Sequence, residues 1–173
     1  MDEHKKEEFR RNIGELYPRL HRAMTAYLAG STVEADDILQ ETFLKAYRNI
    51  NTFQKQSSLY TWLYSIARNL AIDEFRKRKY EKFRSTTPVD EFELESDNET
   101  SDNNREEIVL LRKAIAELPE LLRSVVVMKT IDGMSYPEIS EVTGVNEQTL
   151  KNRMFRARKE LAQSLKQMGV NEP

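Results

Sequence analysis

Leu59, Leu63, Ile66 and Leu70 recur at one-face helical spacing, which predicts an amphipathic helix through this stretch. Ile38, Leu39, Thr42, Phe43, Ala46, Tyr47 and Ile50 carry the same 3.6-residue period. Val109 to Leu118 predicts a helix that stops before Pro119, and Pro119 can open another that runs through Lys129. The β-branched run Val125-Val126-Val127 sits inside that helical context and does not argue for a strand. None of the five glycines or five prolines falls between Gly30 and Pro88, so a long segment has no helix breaker. The expected fold class is all-α.

Charge divides the chain in three. The 173 residues sum to a net charge of −2, which by itself argues against a nucleic-acid partner. The sum hides an uneven distribution: residues 1–84 carry +4, residues 85–107 carry −8 and residues 108–173 carry +2. The middle block is rich in Ser, Thr, Asn, Asp and Glu, and is nearly devoid of apolar residues after Leu94. Such a segment buries too little surface to offset its ordering entropy and is expected to be a flexible acidic linker. Two small, mildly basic helical domains, 1–84 and 108–173, are expected on either side, one of them carrying a helix-turn-helix. The chain has no cysteine, which excludes disulfides and thiol chemistry. No apolar run approaches the length of a membrane span, and the charged start has no signal-peptide character, so the expected location is cytoplasmic, with no membrane insertion.

The densest local signals lie between Asp132 and Leu161. Asp132-Gly133 is a turn, and Ser135-Tyr-Pro-Glu138 has the form of a capping box with Pro137 tolerated in the first helical turn. Ile139 and Val142 face inward on the short helix that follows, and Gly144 can take the left-handed conformation that ends it. Asn146 then caps a second helix with Leu150, Met154, Ala157 and Leu161 as its buried stripe. The other faces of that helix bear Gln148, Lys151, Asn152, Arg153, Arg156, Arg158 and Lys159. Helix, glycine turn and basic, amide-bearing second helix is the plan of a helix-turn-helix that reads the major groove. The alternative is an αα-hairpin with a solvated basic face.

In residues 52–84, Arg68, Arg76, Lys77, Arg78, Lys79, Lys82 and Arg84 alternate with Phe53, Tyr60, Trp62, Tyr64, Phe75 and Tyr80. Cations that track phosphates, interleaved with rings that receive bases, suit single-stranded nucleic acid. The competing reading makes Trp62 and Phe75 core residues of an amphipathic helix. Tyr60 and Tyr64 lie off the leucine stripe and are less readily core. Asp36-Asp37 before an apolar stripe reads locally as a plain helix start. His4 and His21 lie outside any ligand spacing, and no phosphate-binding glycine loop, metal set or nucleophile stands out, so neither an enzyme nor a cofactor is expected.

Taken together, Asp36-Asp-Ile-Leu-Gln-Glu-Thr-Phe-Leu-Lys-Ala-Tyr-Arg-Asn-Ile50, Phe53, Thr61-Trp-Leu-Tyr-Ser-Ile-Ala-Arg-Asn69 and Asp73-Glu-Phe-Arg-Lys-Arg78 resemble region 2 of bacterial sigma factors. Leu118-Pro119, Arg123, Asp132-Gly-Met-Ser-Tyr-Pro-Glu-Ile139, Gly144 and Thr149-Leu-Lys-Asn-Arg-Met-Phe-Arg-Ala-Arg158 resemble region 4. Two such regions on a short linker are the layout of the extracytoplasmic-function (group 4) subfamily. The resemblance covers about residues 9–84 and 108–166, with Ser140 standing where helix-turn-helix proteins usually place Ala.

The resemblance implies a promoter-specificity subunit whose partners are core RNA polymerase, promoter DNA (duplex at −35, melted at −10) and an anti-sigma factor. It assigns Asp37, Gln40, Glu41, Phe43 and Leu44 to polymerase binding. It assigns Phe53, Ser57, Ser58, Tyr60, Trp62, Arg68, Asn69, Asp73, Arg76 and Arg78 to the −10 element, including capture of a flipped base by the loop from Phe53 to Ser58. Gln148, Thr149, Lys151, Asn152, Arg153 and Arg156 would meet the −35 element. No catalytic, metal or cofactor residue is implied. A stand-alone helix-turn-helix regulator or an all-α adaptor are the competing readings.

Overall fold

The computed structural model describes residues 3–54, 56–84 and 102–170. Among these residues the chain is all-α, as the hydrophobic periodicity predicts. The N-terminal domain is built from α1 (Glu3–Tyr27), α2 (Ala35–Arg48), a single 3-10 turn (Ile50–Thr52) and α3 (Leu59–Arg84). The C-terminal domain is built from α4 (Asp102–Glu117), α5 (Glu120–Val126), a π-helical turn (Val127–Ile131), α6 (Tyr136–Thr143) and α7 (Glu147–Gln167). Most of the expected linker lies outside the described residues. Its last residues, 102–107, form the first turns of α4.

In the N-terminal domain, α2 and α3 pack against each other and α1 crosses both. Leu20, Met24, Leu39, Leu63 and Ala67 are fully buried between them. Pro18 lies inside α1, where it has no backbone N–H to donate to the Gly14 C=O. On α3 the buried stripe is not the one the leucines predict. Tyr60, Leu63, Tyr64, Ala67 and Ala71 are buried, whereas Leu59, Ile66 and Leu70 pack at the margin. The buried face is rotated because α3 is covered from two sides, by its own domain and by the other one.

In the C-terminal domain, α7 packs on α4, α5 and α6. Leu150, Met154 and Ala157 are buried beneath it and Leu161 is partly so. Ile139 and Val142 of α6 point into the same core. The Val125–Val127 run is helical, and at Val127 the helix loosens into the π turn, with Asp132 N–H bonded to Val127 C=O at 2.9 Å. Among the described residues no helix is long and apolar enough to cross a membrane.

The two domains are docked. The α3–α6 contact, the π turn against α1 and α4 against α1 form a continuous seam. Gly30, in the loop after α1 at φ +75°, comes so close to α4 that an added Cβ would sit 3.0 Å from the Ala116 Cβ. A left-handed backbone and a close approach both favour glycine there.

Candidate polymerase and nucleic-acid interfaces

The helix-turn-helix forms from local chemistry. Ser135 Oγ accepts the Glu138 N–H at 3.3 Å, while Glu138 Oε2 accepts the Ser135 N–H at 2.7 Å, closing the capping box. The Ser135 N–H and, at 2.8 Å, the Ser135 hydroxyl donate to the Glu138 carboxyl and hold it below its usual range, the backbone hydrogen bond contributing most. Gly144 ends α6 at φ +70°. Asn146 Oδ1 then accepts the Thr149 N–H at 2.9 Å and starts α7.

Opposite the buried stripe of α7, helical spacing aligns Gln148, Asn152, Phe155 and Lys159, with Lys151 and Arg156 to either side. Gln148 Nε2 donates to Asn152 Oδ1 at 3.3 Å, so the two amides form a ladder along the exposed face. Lys151 Nζ lies 5.6 Å from the Tyr136 ring centre, which holds it toward α6. Thr149 and Arg153 are half-buried, and Arg153 lies nearer the buried stripe than the amides do. Phe155 was not singled out from the sequence, yet it is 73% exposed in the middle of this polar face. Its signal was available: the Leu150-Met154-Ala157 spacing already places it outward.

On α2, Asp37, Gln40, Glu41 and Leu44 are exposed, while Phe43 turns inward and packs on the Tyr17 ring at 6.1 Å. α1 extends this face. Tyr17 Oη donates to Asp36 Oδ1 at 2.6 Å, which raises the phenol pKa. His21 Nε2 lies 3.4 Å from the same carboxylate.

The residues expected at the −10 element fall into three groups. At the entry to α3, Phe53 packs on Trp62 with ring centres 5.2 Å apart and the planes tilted by 33°, and Ser57 is half-buried. Phe53 and Ser57 line a cavity of about 260 Å³ with Glu8, Phe9 and Asn12 of α1. Ser58 is used structurally, its Oγ accepting the Thr61 N–H at 3.0 Å to cap α3. A second group, Trp62, Asn69, Asp73 and Arg76, shares one face of α3 by helical spacing, with Asp73 and Arg76 3.9 Å apart.

The third group, Tyr60, Arg68 and Arg78, points away from that face. Arg78 reaches back to Thr32, donating to its C=O at 2.8 Å and to its hydroxyl. Tyr60 and Arg68 lie at the domain seam. Tyr60 Oη donates to Asp132 Oδ1 at 2.7 Å, and Arg68 Nη2 stands 3.8 Å from Glu120 Oε1 with its side chain 12% exposed. The expectation that Tyr60 and Tyr64 are not core is therefore corrected: both are buried. Their burial comes from the second domain, which the periodicity of one helix does not register. Desolvation pushes both phenols far above their usual pKa, and the Asp132 carboxylate adds to this.

Among the described residues no cluster of His, Cys, Asp or Glu could hold a metal ion. A helix-turn-helix with a polar, basic exposed face, tied to a second helical domain with a basic and aromatic α3, has the form of a DNA-binding protein. Residues 13–80 match the family described as Sigma-70 region 2, and residues 108–161 match Sigma-70, region 4. The chain is 33% identical to the ECF RNA polymerase sigma factor SigW of Bacillus subtilis over 82% of this chain and 80% of that one. It is 34% identical to the RNA polymerase sigma-H factor of Pseudomonas aeruginosa, over 76% of this chain and 73% of the relative. Among solved structures it resembles the sigma factor RpoE of Bartonella quintana in complex with the anti-sigma factor NepR, with a TM-score of 0.79 and 25% identity. That match covers 92% of this chain and 97% of the other.

The chain belongs to the sigma-70 family, in its extracytoplasmic-function group. It is a non-enzymatic initiation factor that binds RNA polymerase and confers promoter-specific transcription.

Proposed function

We propose that residues 1–84 bind core polymerase and the −10 element, that residues 85–107 are an acidic linker, and that residues 108–173 bind the −35 element. The exposed α7 face supports the last assignment: an amide ladder at Gln148 and Asn152, with Lys151 and Arg156 beside it, offers the donors and acceptors that read base edges in the major groove. Thr149 and Arg153 flank this face. They suit phosphate contacts that set the register of the helix on DNA.

Polymerase is gripped by Asp37, Gln40, Glu41 and Leu44, with Phe43 buttressing the face from beneath. DNA opening falls to the α3 end of the domain. Trp62, Asn69, Asp73 and Arg76 meet the melted strand, while Phe53 and Ser57 border the cavity that receives an extruded base. Extrusion costs a few kcal/mol, which an enclosing pocket and stacking offset. Tyr60, Arg68 and Arg78 contribute cations and a ring once released from their partners, and Ser58 acts by holding the start of α3. The protein works in the bacterial cytoplasm and is held inactive by an anti-sigma factor, as Bartonella RpoE is bound by NepR.

The test is run-off transcription with core polymerase on a promoter library randomised at both elements. Selection of two elements at a fixed spacing is expected. Selection of the upstream element alone would refute the −10 assignment, and of the downstream element alone the −35 assignment.

A further inference from the structure

The contacts that cross the seam have one chemical pattern. Two carboxylates of the C-terminal domain, Asp132 and Glu120, are received by cations and phenols of the N-terminal domain. Asp132 accepts from Arg19 Nε at 2.9 Å and from Tyr60 Oη at 2.7 Å, with its side chain fully buried. The Arg19 guanidinium also donates to the Asp132 C=O at 3.0 Å and lies 3.8 Å from the Tyr60 ring centre. Glu120 Oε1 accepts from Tyr27 Oη at 2.6 Å and faces Arg68. Arg123 runs the other way, its Nη1 donating to the Ala29 C=O at 2.9 Å and its guanidinium lying 5.9 Å from the Phe75 ring centre.

Anionic oxygens held by guanidinium and hydroxyl donors beside aromatic rings are what the phosphates of a single strand present to a binding groove. We propose that the α1–α3 edge around Arg19, Tyr27, Tyr60 and Arg68 is a phosphate-binding surface, and that Asp132 and Glu120 occupy it in the free chain as internal stand-ins for the phosphates of melted DNA. Region 4 thereby masks part of region 2, and the strand and the C-terminal domain compete for the same donors. The inference rests on the reading of α3 as the −10 helix.

The seam is built to open. Among the described residues, the buried side-chain polar atoms with no hydrogen-bond partner are Tyr64 Oη, Arg68 Nε, Arg123 Nε and Asp132 Oδ2, and all four belong to residues of the seam. Unsatisfied buried polar atoms favour the exposed state, and buried ion pairs return little net stability after desolvation. Each domain keeps its own apolar core, Leu39 and Leu63 in one, Ile139 and Leu150 in the other, so separation does not require unfolding.

Because the chain has no cysteine, Lys45→Cys on α2 and Gln163→Cys on α7 give two unique spin-label sites in the full-length protein. Pulsed dipolar spectroscopy on this background is expected to give one narrow distance. Adding Arg19→Glu, which sets a carboxylate against Asp132, should give a broad, longer distribution at unchanged helicity. Without labels, Glu120→Gln with Asp132→Asn should raise affinity for a fluorescent twelve-nucleotide single-stranded DNA at least tenfold over the native chain. A broad distribution in the native background, or no gain in affinity for the neutralised double variant, overturns the proposal. Run-off transcription by the native holoenzyme separates this from the underlying reading: loss of −10 dependence on Arg76→Ala keeps the assignment of α3 even where masking fails.

Discussion

Phe155→Ala isolates the apolar part of promoter recognition. The ring is 73% exposed, so its removal should change folding stability by no more than about 0.5 kcal/mol. An aromatic side chain offers roughly 150–250 Å² for burial. About 60 Å² of the exposed portion covered by a groove wall is worth about 1.5 kcal/mol at about 25 cal/mol per Å². That is roughly a tenfold loss of −35-dependent affinity. The natural apolar target in the major groove is the thymine methyl, and replacing thymine with uracil removes it at about 0.8 kcal/mol, roughly fourfold. Holoenzyme binding to duplexes with uracil at single −35 positions, measured for native protein and variant, forms a double-mutant cycle. The uracil penalty should appear at one or more positions with native protein and vanish with Phe155→Ala. Indifference of the native holoenzyme to uracil everywhere, or strictly additive effects, would refute the contact.

Other perturbations probe the remaining layers. Gln40→Ala with Glu41→Ala removes exposed groups of α2, so core-polymerase affinity should fall in a pull-down while circular dichroism stays unchanged; equal recovery of polymerase would count against this face. Leu150→Ala opens a cavity under α7 and should lower unfolding stability by about 2–5 kcal/mol, read by denaturant titration. Glu138 has a folded-state pKa below its ordinary value of 4.5, so its contribution is complete above that pH and is lost as pH falls through the lowered value. Glu138→Gln keeps an acceptor for the Ser135 N–H without a titrating group, and should flatten this part of the acid-unfolding curve. An unchanged curve would show that the box does not carry it.

The helix-turn-helix was legible residue by residue because its determinants are local. Ser135 and Glu138 satisfy each other across a single turn, Asn146 caps within three residues, and Gly144 needs only its own left-handed backbone. The inward set of α7 followed from period alone, and Phe155 lay in the same arithmetic. The α2 face was legible only by resemblance, since the local physics of Asp36 and Asp37 describes any helix start. The cavity beside Phe53 could not be read, because its walls come from α1, from the 3-10 turn and from the start of α3.

What the sequence by itself determined is the helical class, the caps and the division into two basic parts around an acidic one. Tertiary structure decided how the two parts treat each other. Periodicity records that a helix has a covered face but not how many neighbours cover it, so Tyr60 and Tyr64 looked like outward rings and proved buried. Asp132 read as a turn residue and Arg68 as a phosphate contact, and Glu120 carried no signal of its own. Only docking α1 and α3 on the C-terminal domain makes them partners, because a charge in a low-dielectric seam must find its opposite, however distant in the chain.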